Sequence, residues 1–496
     1  MTAKEWLHKI HLPSWLVGLL AVVIILRIPS FFEPYNYGDE MIYMTLGQGI
    51  RQGVPLYSGL HDNKPPLLYL TAAVAGNLFW FKAMLAVFSV LSIVVFFKLG
   101  KVLFEKNLKL RKVATWIFAL MTTLPIFEGN IANAENFMML PILAGVLILL
   151  SKPESFKNIF ISGVLFGLAA LYKVPAAFEA PLIPLFWLIT SEFNKKSFIA
   201  TAKKTLFLFL GFATPILATF AWFFLKGSLA DYIKAAFLQN VGYLSSWRPS
   251  DTQKPFLIRN APLLTRAFVV LLGLGILTRF HKKLSKPFIL VVIWILLALF
   301  AITLSERPYP HYFLQAAAAL SFLFGMFFAD KTKEQSFSVI PIALAFLVPV
   351  YFRFWYYPIS SYYMRLLDFA GGKINKQQYF SRFSGTASRN YQVADFLIKS
   401  TPAKDRVFVY DPDSPVIYAL SRKLPPIKYT VPYHISDYSS KADAARDISK
   451  NPPKFIVLTS KNVFREIGPL IKKKYMLIQQ ISDANIYSRI DLAPGK

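Results

Sequence analysis

About eleven apolar runs, several of them short or interrupted by proline, constrain this chain more than any other feature. They cover residues 16–28, 81–97, 113–125, 137–150, 159–171, 174–189, 206–225, 263–277, 288–304, 312–329 and 339–355. A helix crosses the hydrocarbon layer of a bilayer with roughly 20 apolar residues, and only helices and closed barrels satisfy their backbone hydrogen bonds there. So many runs in one chain predict a mainly α, polytopic membrane protein. The first run leads into Pro29 and aromatic residues, not a small-residue cleavage site, so it is expected to stay as a span.

Composition supports this and removes other classes. The chain is 55% hydrophobic and 17% charged, against about 25% charged in soluble domains. Such apolar content excludes disorder. The lack of cysteine excludes a disulfide framework, thiol catalysis and Cys-ligated zinc. A net charge of +28 would suit nucleic acid, but its distribution points elsewhere. With the N-terminus in the cytoplasm and the loops alternating, cytoplasmic segments carry twice the Lys and Arg of the external ones. That bias orients membrane proteins, so no nucleic-acid partner is needed. The expected location is the plasma (inner) membrane, multi-pass, with the bilayer itself as a partner.

Residues 1–355 form the expected transmembrane domain, with a long first external loop at 31–80. A connecting segment, 356–385, leads to a polar extracytoplasmic α/β domain at 386–496. There 406–410 (RVFVY) and 455–459 (FIVLT) read as short buried strands, and 391–399, 415–420 and 462–471 have helical spacing. No Gly-rich phosphate loop and no internal repeat of transporter type is present.

The first external loop concentrates the chemistry. Residues 41–51 and 67–80 are expected helices lying along the outer membrane surface, the second begun by Pro65-Pro66. Asp39 and Glu40 follow Gly38 where the chain leaves the bilayer, and carboxylates at that depth are functional candidates. Asp39 equally fits a helix N-cap, and Lys64 equally fits a side chain reaching a phospholipid phosphate. Glu128 and Glu135, in EGNIANAEN, mark a second acidic loop, which also fits a solvated turn. Arg307, His311 and Tyr312 stand where a late span begins, in ERPYPHYFLQ, without paired-His metal spacing.

These motifs, in this order, resemble the polyprenyl-phosphate-sugar-dependent GT-C glycosyltransferases. GDEMIY, DNKPPLLYL, AENFMMLP, GLAALYKVP, HYFLQ and RVFVYDPDSPVIYAL carry the likeness along nearly the whole chain. The nearest group is dolichyl-phosphate-mannose-protein mannosyltransferase-like, with the lipid A aminoarabinose transferase (family 39/83 type). The resemblance implies a GT-C fold with about eleven transmembrane helices, juxtamembrane helices in the first loop and an extracytoplasmic α/β domain. It implies Asp39 as catalytic base, Glu135 as second acidic residue, and Glu40, Tyr43, Asp62, His311 and Tyr312 around the substrates. Lys64, with Arg307, would hold the donor phosphate. Asn63 stands where the aminoarabinose transferase has an acidic metal ligand, and Ile42 where it has an arginine. A divalent metal is therefore left open.

The implied reaction moves a sugar from a polyprenyl-phosphate carrier to an acceptor hydroxyl or amine on a glycolipid, glycan or protein outside the membrane. Phosphate is a good leaving group, so the site needs cations for it and one carboxylate for the acceptor proton, with inversion at the anomeric carbon. A transporter or flippase, or a polymerase or ligase, for lipid-linked sugars is the alternative.

Overall fold

A computed structural model describes residues 12–243, 253–329, 331–402, 404–459 and 464–492. The N-terminus, placed in the cytoplasm above, and the start of the expected 462–471 helix lie outside these residues. The chain divides into two compact units.

The first unit comprises residues 1–30, 82–221 and 239–359. Every apolar run becomes helical, and among the described residues eight helices are long and apolar enough to cross a membrane. They are Ser14–Phe32, Leu78–Leu103, Ala134–Ser151, Lys195–Leu225, Phe256–Lys283, Lys286–Thr303, Pro310–Ala329 and Lys333–Tyr351. The other three expected spans form shorter helical stretches: Leu108–Met121 with 14 residues, Phe156–Tyr172 and Val174–Thr190. Their sequence explains the shortening. Pro125 follows the first of them, and Pro175 and Pro181 break the last into a 3-10 turn and a short helix.

Two spans form the centre of this unit. In the apolar stretches of Lys286–Thr303 and Pro310–Ala329, 78% and 83% of residues are buried, whereas in that of Phe256–Lys283 only 6% are, which leaves its apolar surface for lipid. Side-chain packing is tight where it is central: the Phe96 ring stacks on Phe118 and on Phe322, each at 4.3 Å between centroids. Phe156–Tyr172 crosses Lys195–Leu225 at glycines. A Cβ on Gly163 would stand 2.1 Å from the Leu208 carbonyl oxygen, and one on Gly211 2.0 Å from that of Phe160. Small residues allow such close backbone approach between spans.

The second unit gathers 31–81, 222–238 and 360–496. Both expected first-loop helices form, as Gly38–Arg51 and Leu67–Ala75. Pro66 precedes the second, and Gly76, at φ 71°, ends it in the left-handed conformation glycine tolerates. The pair packs through Gly47, where a Cβ would meet the Ala73 nitrogen at 2.7 Å.

The α/β part holds a four-stranded sheet of β1 (Val407–Tyr410), β2 (Phe455–Thr459), β3 (Tyr475–Ile481) and β4 (Ala484–Arg489). Its order is β1-β2-β4-β3, with β1 and β2 parallel and the rest antiparallel. The two expected strands are thus present, and each is buried on both faces. Phe408, Tyr410 and Ile456 enter one core; Val407, Val409, Phe455 and Val457 enter the other. The hairpin β3–β4 was not expected from sequence. Only Tyr475 and Ile481 of β3 are buried, so this edge strand lacks the alternation that would announce it.

Candidate functional site

The helix Gly38–Arg51 begins at an N-cap, Tyr37, that makes no side-chain cap. Asp39 is therefore not the cap that its position also suggested. It lies in the first turn, half-buried, where a carboxylate is favoured by the unpaired N–H groups and the helix dipole. Successive helical residues diverge by about 100°, so Glu40 turns inward and is 1% exposed. Tyr43, one turn on and buried, donates its hydroxyl to Asp39 Oδ2 at 3.2 Å.

The same tyrosine receives the lysine. Lys64 Nζ stands 5.0 Å from the Tyr43 ring centroid and 3.6 Å from Asp62 Oδ2. Asp39, Tyr43, Lys64 and Asp62 thus form one continuous chain of contacts built from two segments of the first loop. A cation over an aromatic face is itself attracted by the ring quadrupole.

Asp62 is buried and receives the Tyr69 hydroxyl at 2.8 Å and the Asn63 N–H at 2.8 Å. Burial alone would raise its carboxyl; the Lys64 ammonium and these two donors outweigh that and hold it below the usual carboxylate range. His434, which sequence reasoning missed, places Nε2 3.6 Å from Asp62 Oδ1. Burial lowers the His434 pKa, so the ring is neutral near pH 7 and Lys64 is the charge that matters to Asp62. His61 was missed too, although it directly precedes Asp62 in the motif. Its N–H donates to the Lys428 carbonyl at 2.8 Å, and its ring meets Tyr438 at 4.7 Å and His434 at 6.0 Å. Burial, then His434, lowers its pKa to about 3.

The first unit holds a second polar cluster. Glu128 and Glu135 are not solvated turn residues: they are 0% and 2% exposed. Their partners come from distant segments of the chain. His311 Nδ1 lies 2.5 Å from Glu128 Oε2, and Nε2 lies 3.8 Å from Glu135 Oε1. Lys173, in the connection after Phe156–Tyr172, pairs with Glu135, and its Nζ sits 3.7 Å from the Tyr312 ring centroid. The expected Glu135, His311 and Tyr312 are therefore together, around a lysine. Arg307 lies partly buried in the segment between Lys286–Thr303 and Pro310–Ala329. Lys82 is buried in the helix Leu78–Leu103 and donates to the Asn130 carbonyl at 2.8 Å. A small cavity beside Glu135 is lined by Ser89, Ser92, Thr122 and Asn136 with Met139 and Leu314.

Among the described residues, no three His, Asp or Glu side chains are grouped to hold a metal ion. Among the described residues, therefore, no side-chain cluster fits a divalent metal.

Eight helices long and apolar enough to cross a bilayer make this a multi-pass membrane protein, and its fold is shared with solved membrane-protein structures. The crystal structure of ArnT from Cupriavidus metallidurans bound to undecaprenyl phosphate is similar over 97% of this chain and 99% of that one, with 14% identity and a TM-score of 0.56. The same protein in its apo state is similar over the same shares, with 13% identity and a TM-score of 0.53. No protein-family model matches the chain, and no curated protein is significantly similar to it.

Proposed function

We propose that this protein transfers a sugar from a polyprenyl-phosphate-linked donor to an acceptor outside the membrane. One observation carries the proposal: Tyr43 joins Asp39 to Lys64, putting a half-exposed carboxylate and a cation on the same ring. The likeness to a protein crystallised with undecaprenyl phosphate supports it.

Lys64 is the cation for the departing phosphate, and Arg307 is proposed as a second. Asp39 takes the proton of the acceptor hydroxyl or amine as that atom bonds to the anomeric carbon. The carbon–oxygen bond to phosphate breaks as this bond forms, and polyprenyl phosphate leaves with the electron pair. Displacement from the opposite face gives inversion. Glu135, held by Lys173 and His311, is proposed as a second carboxylate serving the acceptor. The proposed acceptors are a glycolipid, a cell-envelope glycan or a protein, and the proposed location is the inner membrane with the α/β domain extracytoplasmic.

The test is sugar transfer by the purified full chain from a radiolabelled polyprenyl-phosphate sugar, wild type against Asp39→Asn. Loss of a general base costs about 10²–10⁴ in rate. Turnover of Asp39→Asn near wild type would remove Asp39 from the mechanism.

A further inference from the structure

Lysine is a flexible residue on which to build an anion site: its charge sits at the end of four rotatable carbons. The backbone under Lys64 is correspondingly held at both of its polar groups, and each time by a tyrosine hydroxyl. The Tyr57 hydroxyl donates to the Lys64 carbonyl at 2.9 Å. The Tyr69 hydroxyl accepts the Lys64 N–H at 3.1 Å and donates a hydrogen bond to Asp62 Oδ2 at 2.8 Å. Pro65 follows, which restricts Lys64 to an extended conformation.

Tyr57 sits in a tight turn, its N–H donating to the Leu60 carbonyl at 2.7 Å. Its φ is +72°, a left-handed value that bulky residues avoid, and its side chain is fully buried. Such outliers persist only where the surroundings over-determine them, and they cluster at functional sites. The surroundings are aromatic. The Tyr57 ring stacks on Tyr232 at 5.2 Å and meets the edge of Phe223 at 5.3 Å. Both come from the 222–238 segment, where a π-helical turn, Lys234–Leu238, follows Tyr232 at once. Single π turns are frequent at functional sites.

We propose that Tyr57 and Tyr69 are positioning residues: two hydroxyls that clamp the Lys64 backbone so its ammonium stays over Tyr43, ready for a lipid-linked phosphate, with Tyr232 bracing Tyr57. The inference rests on the phosphate role proposed for Lys64. Buried backbone groups need partners in any fold, so the test must separate a clamp from simple satisfaction of the Lys64 main chain.

A double-mutant cycle does this. Undecaprenyl phosphate binding to the full chain in nanodiscs is measured for wild type, Lys64→Ala, Tyr57→Phe and Tyr57→Phe/Lys64→Ala. Tyr69→Phe is measured in the same two backgrounds, which keeps the test alive if one tyrosine variant does not fold. Lys64→Ala is expected to weaken binding at least tenfold. Each tyrosine variant should weaken it about two- to twelvefold, the span of one hydrogen bond. In the Lys64→Ala background neither should cost anything further. The same loss with and without Lys64 would make the tyrosines merely structural, and no loss with Lys64 present would equally overturn the clamp. If Lys64→Ala alone leaves binding unchanged, the phosphate role itself fails and the clamp falls with it.

Discussion

Replacing Asp62 by Asn changes one atom and keeps the shape, so its cost follows from the partners the carboxylate has. Two donors point at it, the Tyr69 hydroxyl and the Asn63 N–H, and the Lys64 ammonium lies 3.6 Å away. An amide offers one acceptor oxygen and a donor NH₂ group, so at least one of those donors meets another donor. Losing one hydrogen bond to a buried charge costs about 1.5–3 kcal/mol. The Lys64 side chain is 22% exposed, so water replaces part of what it loses and the full penalty of a broken buried ion pair does not apply. We expect about 2–3 kcal/mol in the unit that contains Asp62, which has roughly 200 residues, and hence a melting temperature lower by about 4–12 °C. Thermal unfolding of the purified full chain at pH 7 measures it. The pH dependence has a definite sign. The folded-state pKa of Asp62 is depressed, so its stabilisation is complete above the ordinary carboxylate value near 4 and is lost as pH falls through the folded pKa. The gap between wild type and Asp62→Asn should therefore be full at pH 7 and close in strong acid. A variant that melts within about 1 °C of wild type at pH 7, well inside the shift expected here, would refute this account of the carboxylate.

Two further outcomes are expected. His61 and His434 are buried neutral among Asp62, Lys64, Lys428, Lys234, Asp437 and Asp39, and both have lowered pKa values. Their contribution is complete above about pH 6.5 and falls on acidification, toward about 3 for His61, by at most about 1.4 kcal/mol per pH unit for each ring. His61→Phe should melt with a shallower acid dependence between pH 7 and 5; an unchanged slope would show that His61 is already protonated or exposed. In the first unit, Lys173→Ala removes one of the two partners of buried Glu135, leaving His311, and should destabilise by about 2–3 kcal/mol, below the cost of a fully broken buried pair. Lys173→Met with Glu135→Gln should recover much of that loss in chemical denaturation, and a double variant no more stable than the single one would count against the pairing.

The particular residues show what was legible in the sequence. The apolar runs were, since lipid rewards length and apolarity along the chain itself, and each run became a helix. The first-loop helices were legible from their periodicity and from Pro65-Pro66. β1 and β2 were legible as short apolar runs, whereas β3 was not, because an edge strand exposed over five of its seven positions carries no burial pattern. Asp39 and Lys64 stood out as charged residues beside a membrane span.

What the chain order could not supply was partnership. Lys173 meets Glu135 only through folding, across 38 residues of sequence. His434 lies in the α/β part, yet it comes within 3.6 Å of Asp62 in the first loop. Tyr57, Tyr69 and Tyr232 come together around Lys64 only in the folded chain. Span formation depends on local hydrophobicity, which sequence states directly. The environment of a buried charge depends on which distant groups arrive around it, and only tertiary packing decides that.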